Sequence, residues 1–153
     1  MIQRIQTLYL LIAFALGIVF LFSPLASFSI ADIIFELKVM DFSEMSDMDQ
    51  GMFIDTMPLI IVDSLFVVLM AVSILLYKNR SLQLKLTGLG VLVNTVVIIL
   101  GFWYTDAMAD KVNTQPDYEY GAIIPVVALV FLFMAIRGIR KDAKLIRSME
   151  RLR

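Results

Sequence analysis

The sequence predicts an all-α membrane protein: a four-transmembrane-helix bundle of two antiparallel hairpins with a cytoplasmic C-terminal amphipathic helical extension. Three observations predict it. Of the 153 residues, 60% are hydrophobic and 18% charged, where a soluble domain is near half apolar and a quarter charged. Four apolar stretches reach or approach the roughly 20 residues that a helix needs to cross a bilayer core. The charges between those stretches segregate by sign from one connection to the next. One integral domain over residues 1–153 accommodates all of this.

The spans are taken in order as about 5–25, 58–77, 84–104 and 121–137. The first reads "IQTLYLLIAFALGIVFLFSPL". A short n-region, "MIQR", and a small-residue "SIA" at Ser29–Ala31 also fit a signal peptide. The uninterrupted run from Leu8 to Phe22 favours an anchor instead. The second span opens on Pro58, which suits a first helical turn where its missing N–H costs nothing. Pro24 and Pro125 fall near span ends, where a bend is tolerated.

The connections set the direction. The outer loop 28–57 carries seven acidic residues and one Lys. The short loop "KNRSLQLK" carries three basic residues and no acid. The loop 105–120 carries four acids and one Lys, and the stretch from Arg137 to the end has seven basic residues and two acids. With Arg4, 11 of the 13 Lys and Arg then lie on one side. Cytoplasmic flanks collect Lys and Arg. The expectation is a multi-pass protein of the inner (cytoplasmic) membrane with both termini cytoplasmic. Tyr77, Trp103 and Tyr104 sit where interfacial aromatic residues are expected.

"MIQRIQTLYLL", "LLYKNRSLQLKL" and "IRKDAKLIRSMERLR" together resemble an uncharacterised family, a domain of unknown function, of small four-helix integral membrane proteins from the Bacteroidota. The resemblance covers the whole chain. It implies an inner-membrane protein and carries over no activity and no site residue.

Within the spans, polar residues are few. Asp63 is the acid within a span, roughly 7 Å inside the outer end at 1.5 Å per residue. It either reaches the outer headgroups or bonds a loop, or it marks a path for an ion or substrate. A cation partner on the outer side must be Lys38 or Lys111. Asn94 lies mid-span. Thr87, Asn94 and Gly101 recur every seven residues with Gly90 beside them; Gly121, Ala128 and Ala135 do the same, as do Ser64 and Ala71. Small residues at this interval bring helices close in left-handed crossings. Packing is the favoured reading, and a path lined by Asp63 and Asn94 its rival.

In the first outer loop, "IFELKVM" alternates as a strand does. "SDMDQGMFID" falls short of a calcium loop, because Gly51 comes one residue early and a third ligand is missing. Asp47 with Gln50 fits a helix cap better. Without Cys or His, the chain has no zinc site of that type, no thiol nucleophile and no imidazole base. No catalytic, cofactor-binding or metal-ligating set is assigned; an acid pair such as Asp63 with Asp106 is the arrangement sequence leaves open.

The cytoplasmic tail, 138–153, continues the fourth helix. At 100° per residue Arg137, Arg140, Lys141, Lys144, Arg147 and Arg151 fall in one arc of about 120°. This arc suits anionic lipid headgroups. Ile139, Leu145, Ile146, Met149 and Leu152 lie opposite, where membrane or a protein partner can cover them. Nucleic acid is disfavoured, since no nucleic-acid fold or stacking aromatic accompanies the charge. Asp142 interrupts the apolar arc and has no helical ion-pair partner. Arg4, Arg80 or Lys85 should meet it, with Arg4 the first choice, docking the tail beneath the bundle. The expected function is a non-enzymatic accessory or scaffold subunit, alone as a homo-oligomer or with a membrane-protein partner. The alternative is a small oligomeric transporter or channel.

Overall fold

Among the described residues seven elements follow one another: α1 (Ile2–Leu21), β1 (Pro24–Ile30), β2 (Ile33–Lys38), α2 (Met57–Leu75), α3 (Arg80–Val112), β3 (Asp117–Tyr118) and α4 (Tyr120–Glu150). The computed structural model describes residues 2–30, 33–40, 55–77 and 79–150, with side chains over 5–29, 36–40, 55–77 and 79–142. The residues of the calcium and capping readings, Asp47, Asp49, Gln50 and Gly51, lie outside the described residues, as do the side chains of Arg4, Lys144, Arg147 and Arg151.

Among the described residues three helices are long and apolar enough to cross a membrane: Met57–Leu75, Arg80–Val112 and Tyr120–Asp142. Helix α1 adds a shorter apolar stretch, Ile5–Leu21. The first span therefore ends earlier than expected. Ser23 closes it, its hydroxyl donating to Val19 O at 2.7 Å. Pro24 then starts a strand, since it has no N–H with which to continue the helix. The third helix runs beyond the expected end at Tyr104 to Val112, because backbone bonding ignores the hydropathy boundary. Asn113 stops it in the left-handed conformation at φ 55°, a state asparagine tolerates. Between α2 and α3, Asn79 caps α3 by accepting from Leu82 N at 3.3 Å.

The strands form one small sheet in the order β2-β1-β3. Central β1 is antiparallel to both neighbours, pairing Ser27 with Glu36 and with Asp117. The register shifts between Pro24 and Ala26, leaving Leu25 as an extra residue that turns into the core. The alternation in "IFELKVM" corresponds to β2; β1 had no such signal.

Helix α1 packs on α2 and α4, and α3 packs on the same two. One apolar cluster joins Leu10, Ala13, Phe66, Met70, Leu132 and Ala135. A second, at the sheet end, joins Phe20, Leu25, Val39, Leu59, Val97 and Tyr104. The seven-residue stripes of α3 and α4 face inward: Thr87, Gly90, Asn94 and Gly101 are buried, as are Gly121, Ala128 and Ala135. On α2 the expected Ser64 and Ala71 are only half-buried. The buried face is Leu59, Asp63, Phe66, Met70 and Ser73. Gly90 explains the shift, because a Cβ there would strike Met70 Cε: the large α2 residues fill the room that small α3 residues leave.

Candidate functional site

Polarity is distributed inside out. All four helices expose large apolar side chains, among them Leu8, Ile61, Leu92 and Val130, each more than half exposed. On α3 this outer band runs from Leu82 to Trp103, about 32 Å at 1.5 Å per residue, close to a bilayer core. Gln6, Asp63, Ser73, Gln83, Thr87, Asn94 and Asp142 are all buried. In lipid, a buried polar group needs a partner inside the protein. Where each of these bonds is therefore the central question of the site.

The α2–α3 contact answers for three of them. Thr87 Oγ1 donates to Gln83 O at 2.8 Å. A threonine hydroxyl has one hydrogen, so the 3.0 Å contact between Ser73 Oγ and Thr87 Oγ1 has Ser73 as donor. Gln83 Nε2 donates back to Ser73 O at 3.2 Å. The result is a closed set of bonds across two helices. Sequence reading missed Gln83 and Ser73: the first was counted in the short loop and the second in an apolar run. Asn94, predicted as a mid-span polar residue, donates from Nδ2 to Pro125 O at 2.8 Å. Its bond ties α3 to α4.

Asp142 is buried, and its Oδ2 lies 3.6 Å from Arg80 Nη1. Arg80 opens α3, so the ion pair joins the start of α3 to the far part of α4. Among the described side chains, Arg80 is the cation placed at Asp142 and Lys85 is exposed; the side chain of Arg4, the first choice, lies outside the described residues. Around the helix, Arg137, Arg140 and Lys141 are exposed while Ile139 is buried.

Two buried groups have no such partner. Gln6 Nε2 and Asp63 Oδ2 make no hydrogen bond among the described residues. Asp63 is 1% exposed, which contrasts with the expectation of a side chain reaching the headgroups. Ser73 meets Thr87, and Met70 meets Gly90; the same helix register sets Asp63 level with Val97. The residues expected with it are elsewhere. Lys38 pairs with Glu36 at 3.3 Å, and Lys111 is exposed near the end of α3. Asp106, nine residues beyond Val97 and so about 13 Å along the helix, is exposed. It accepts from Tyr118 OH at 3.2 Å.

That contact belongs to the sheet end. Phe102 and Tyr118 meet in a tilted ring contact with centroids 5.5 Å apart, and Ser27 Oγ donates to Glu119 Oε1 at 3.2 Å. Burial first, and then the Asp106 carboxylate that accepts its hydrogen bond, raise the Tyr118 phenol above its ordinary value. A pocket between Phe20, Val97, Gly101 and Pro125 has a volume of about 10 Å³, which is space for one water.

A family model matches residues 2–152. The chain belongs to the family DUF4293, described as a domain of unknown function. Comparisons with curated proteins and with solved structures found no match. The DUF4293 match runs through every element above, so the family unit is the bundle together with its sheet.

Proposed function

We propose that this DUF4293 protein is an integral protein of a bacterial inner membrane, built as two antiparallel hairpins with both termini cytoplasmic. We further propose that it serves as a non-enzymatic accessory or scaffold subunit. The carrying observation is the use made of the polar interior. Ser73, Gln83, Thr87 and Asn94 each bond to a backbone or side chain of α2, α3 or α4. Groups used this way fasten helices, and they leave α3 no free polar stripe of the kind a conduction path needs. The orientation rests on the 11 of 13 basic residues at one end. Exposed Arg137, Arg140 and Lys141 supply attraction to anionic headgroups at about 1 kcal/mol each close to the surface.

Reporter fusions after Arg80 and Arg153 should read cytoplasmic, and those near Asp49 and Asp117 external. A cytoplasmic signal at Asp49 sinks the two-hairpin topology. Purification from native membranes tests the role: a stoichiometric protein partner supports the scaffold. An ion flux in proteoliposomes that Asp63→Asn abolishes replaces it with transport past Asp63 and Asn94.

A further inference from the structure

We propose that Asp63 is a proton-binding site within the bundle, its carboxyl carrying a proton at neutral pH. The interior polar groups of α3 are accounted for by bonds; this one is not. The side chain is 1% exposed, and Oδ2 has no hydrogen-bond partner among the described residues. An ionised carboxylate in such a place is strongly disfavoured unless a cation meets it. A buried acid that lacks one takes up a proton instead.

The supply of cations is the decisive point. Lys38 and Lys111 are the only basic residues in the two acidic loops. Lys38 already pairs with Glu36, and Lys111 is exposed, 14 positions along α3 from Val97. Residues 41–54, next to the start of α2, contain neither Lys nor Arg. The other basic residues with described side chains, Arg80, Lys85, Arg137, Arg140 and Lys141, belong to the opposite end of the bundle, where Arg80 meets Asp142. Among titratable groups on the elements packed against α2, α1 offers Tyr9, which stacks on Phe131. Helix α3 offers Tyr104, buried in the cluster of Leu59 and Val97, with exposed Asp106, Asp110 and Lys111 beyond it and Arg80 and Lys85 at its other end; Asp55 stands just before α2. The cations among these lie toward the two ends of α3, away from the level of Val97. A neutral carboxyl resolves the conflict.

Asp142 is the internal comparison. It is buried almost as deeply, but its Oδ2 lies 3.6 Å from Arg80 Nη1, so a cation meets it. The test is infrared difference spectroscopy on the full chain in proteoliposomes at neutral pH, wild type against Asp63→Asn. The expected result is a protonated-carboxyl stretch in the wild type that shifts in D2O and is lost in the variant. Asparagine mimics the neutral acid in shape, so the variant should keep the wild-type fold. Should it not, ¹³C-carboxyl aspartate NMR on the wild type reads the same state directly. A carboxylate signal for Asp63 at neutral pH overturns the proposal. So does loss of the protonated signal on adding sodium or potassium at constant pH, which would make the site one for a metal cation.

Discussion

Gly121 is the position where one methyl group should do the most damage. It begins α4 at the place where α1 turns into β1. A Cβ built there strikes the carbonyl oxygen of Pro24, comes within 2.8 Å of that carbonyl carbon, and lies 3.1 Å from Ser23 Cβ. Two of the three obstacles are backbone, so no side chain can swing aside. In Gly121→Ala, the first turn of α4 has to retreat from the corner. Glu119 N donates to Leu25 O at 3.0 Å, and β3 pairs with β1 through Ala26 and Tyr118; both depend on that approach. Overpacking costs about 1–3 kcal/mol. One backbone bond lost with it adds about 1 kcal/mol. The sum is about 2–4 kcal/mol, a large part of ordinary protein stability.

The assay is unfolding in mixed micelles, followed by the fluorescence of Trp103, the single tryptophan and close to this corner. Gly88→Ala is the control. A Cβ at Gly88 meets nothing within 4 Å, so the change should only add helix propensity, at most about 1 kcal/mol of stabilisation. If Gly121→Ala is as stable as Gly88→Ala, the close approach of α4 to the α1–β1 corner is wrong.

Asp142→Ala leaves Arg80 without its carboxylate, should cost about 2–3 kcal/mol given that Arg80 is 20% exposed, and should make the tail easier to cleave by protease. The exchange Arg80→Asp with Asp142→Arg should recover part of that protection, and no recovery would deny the pair. Asn94→Leu should lose about 0.6–1.7 kcal/mol in the same unfolding assay, since the bond to Pro125 O goes; unchanged stability would refute its role in joining α3 to α4. Tyr118 should ionise above 10 in an absorbance titration read against Tyr118→Phe. Because its folded value is raised, its contribution to stability is full below that ordinary value and is lost as pH rises through the folded one. Asp106→Asn should lower the transition only part of the way, as burial is the larger cause.

The reach of the sequence follows from what each signal measures. Hydropathy located the helices because lipid demands apolar surface, and the exposed band on α3 fits that demand. It misplaced their ends, because helix termini are set by caps and missing donors. Pro24 ended α1 early, and Asn113 ended α3 late. The small-residue interval found the inner faces of α3 and α4, where small residues do the packing. It failed on α2, whose inner face is Phe66 and Met70 filling the space beside Gly90. β1 left no trace: "PLASFSI" looks like the tail of an apolar span, and its pairing is decided by β2 and by β3 some 90 residues away. For the polar interior, residue type alone identified Asn94 and Asp63 as notable. Which of them was bonded depended on Pro125, 31 residues from Asn94.

Asp142 and Asp63 show how topology governs chemistry in such a bundle. The two side chains are of one type and similar burial, and they lie toward opposite ends. Under the proposed orientation, the bias that collects Lys and Arg on the cytoplasmic side surrounds Asp142 with candidate cations and strips them from the vicinity of Asp63. An acid buried toward the cytoplasmic end can meet a cation, as Asp142 meets Arg80. One buried toward the outer end, as Asp63 is, has no such cation beside it among the described residues. Under the two proposals, the distribution of basic residues that sets the direction of insertion also decides which interior acid is paired and which holds a proton.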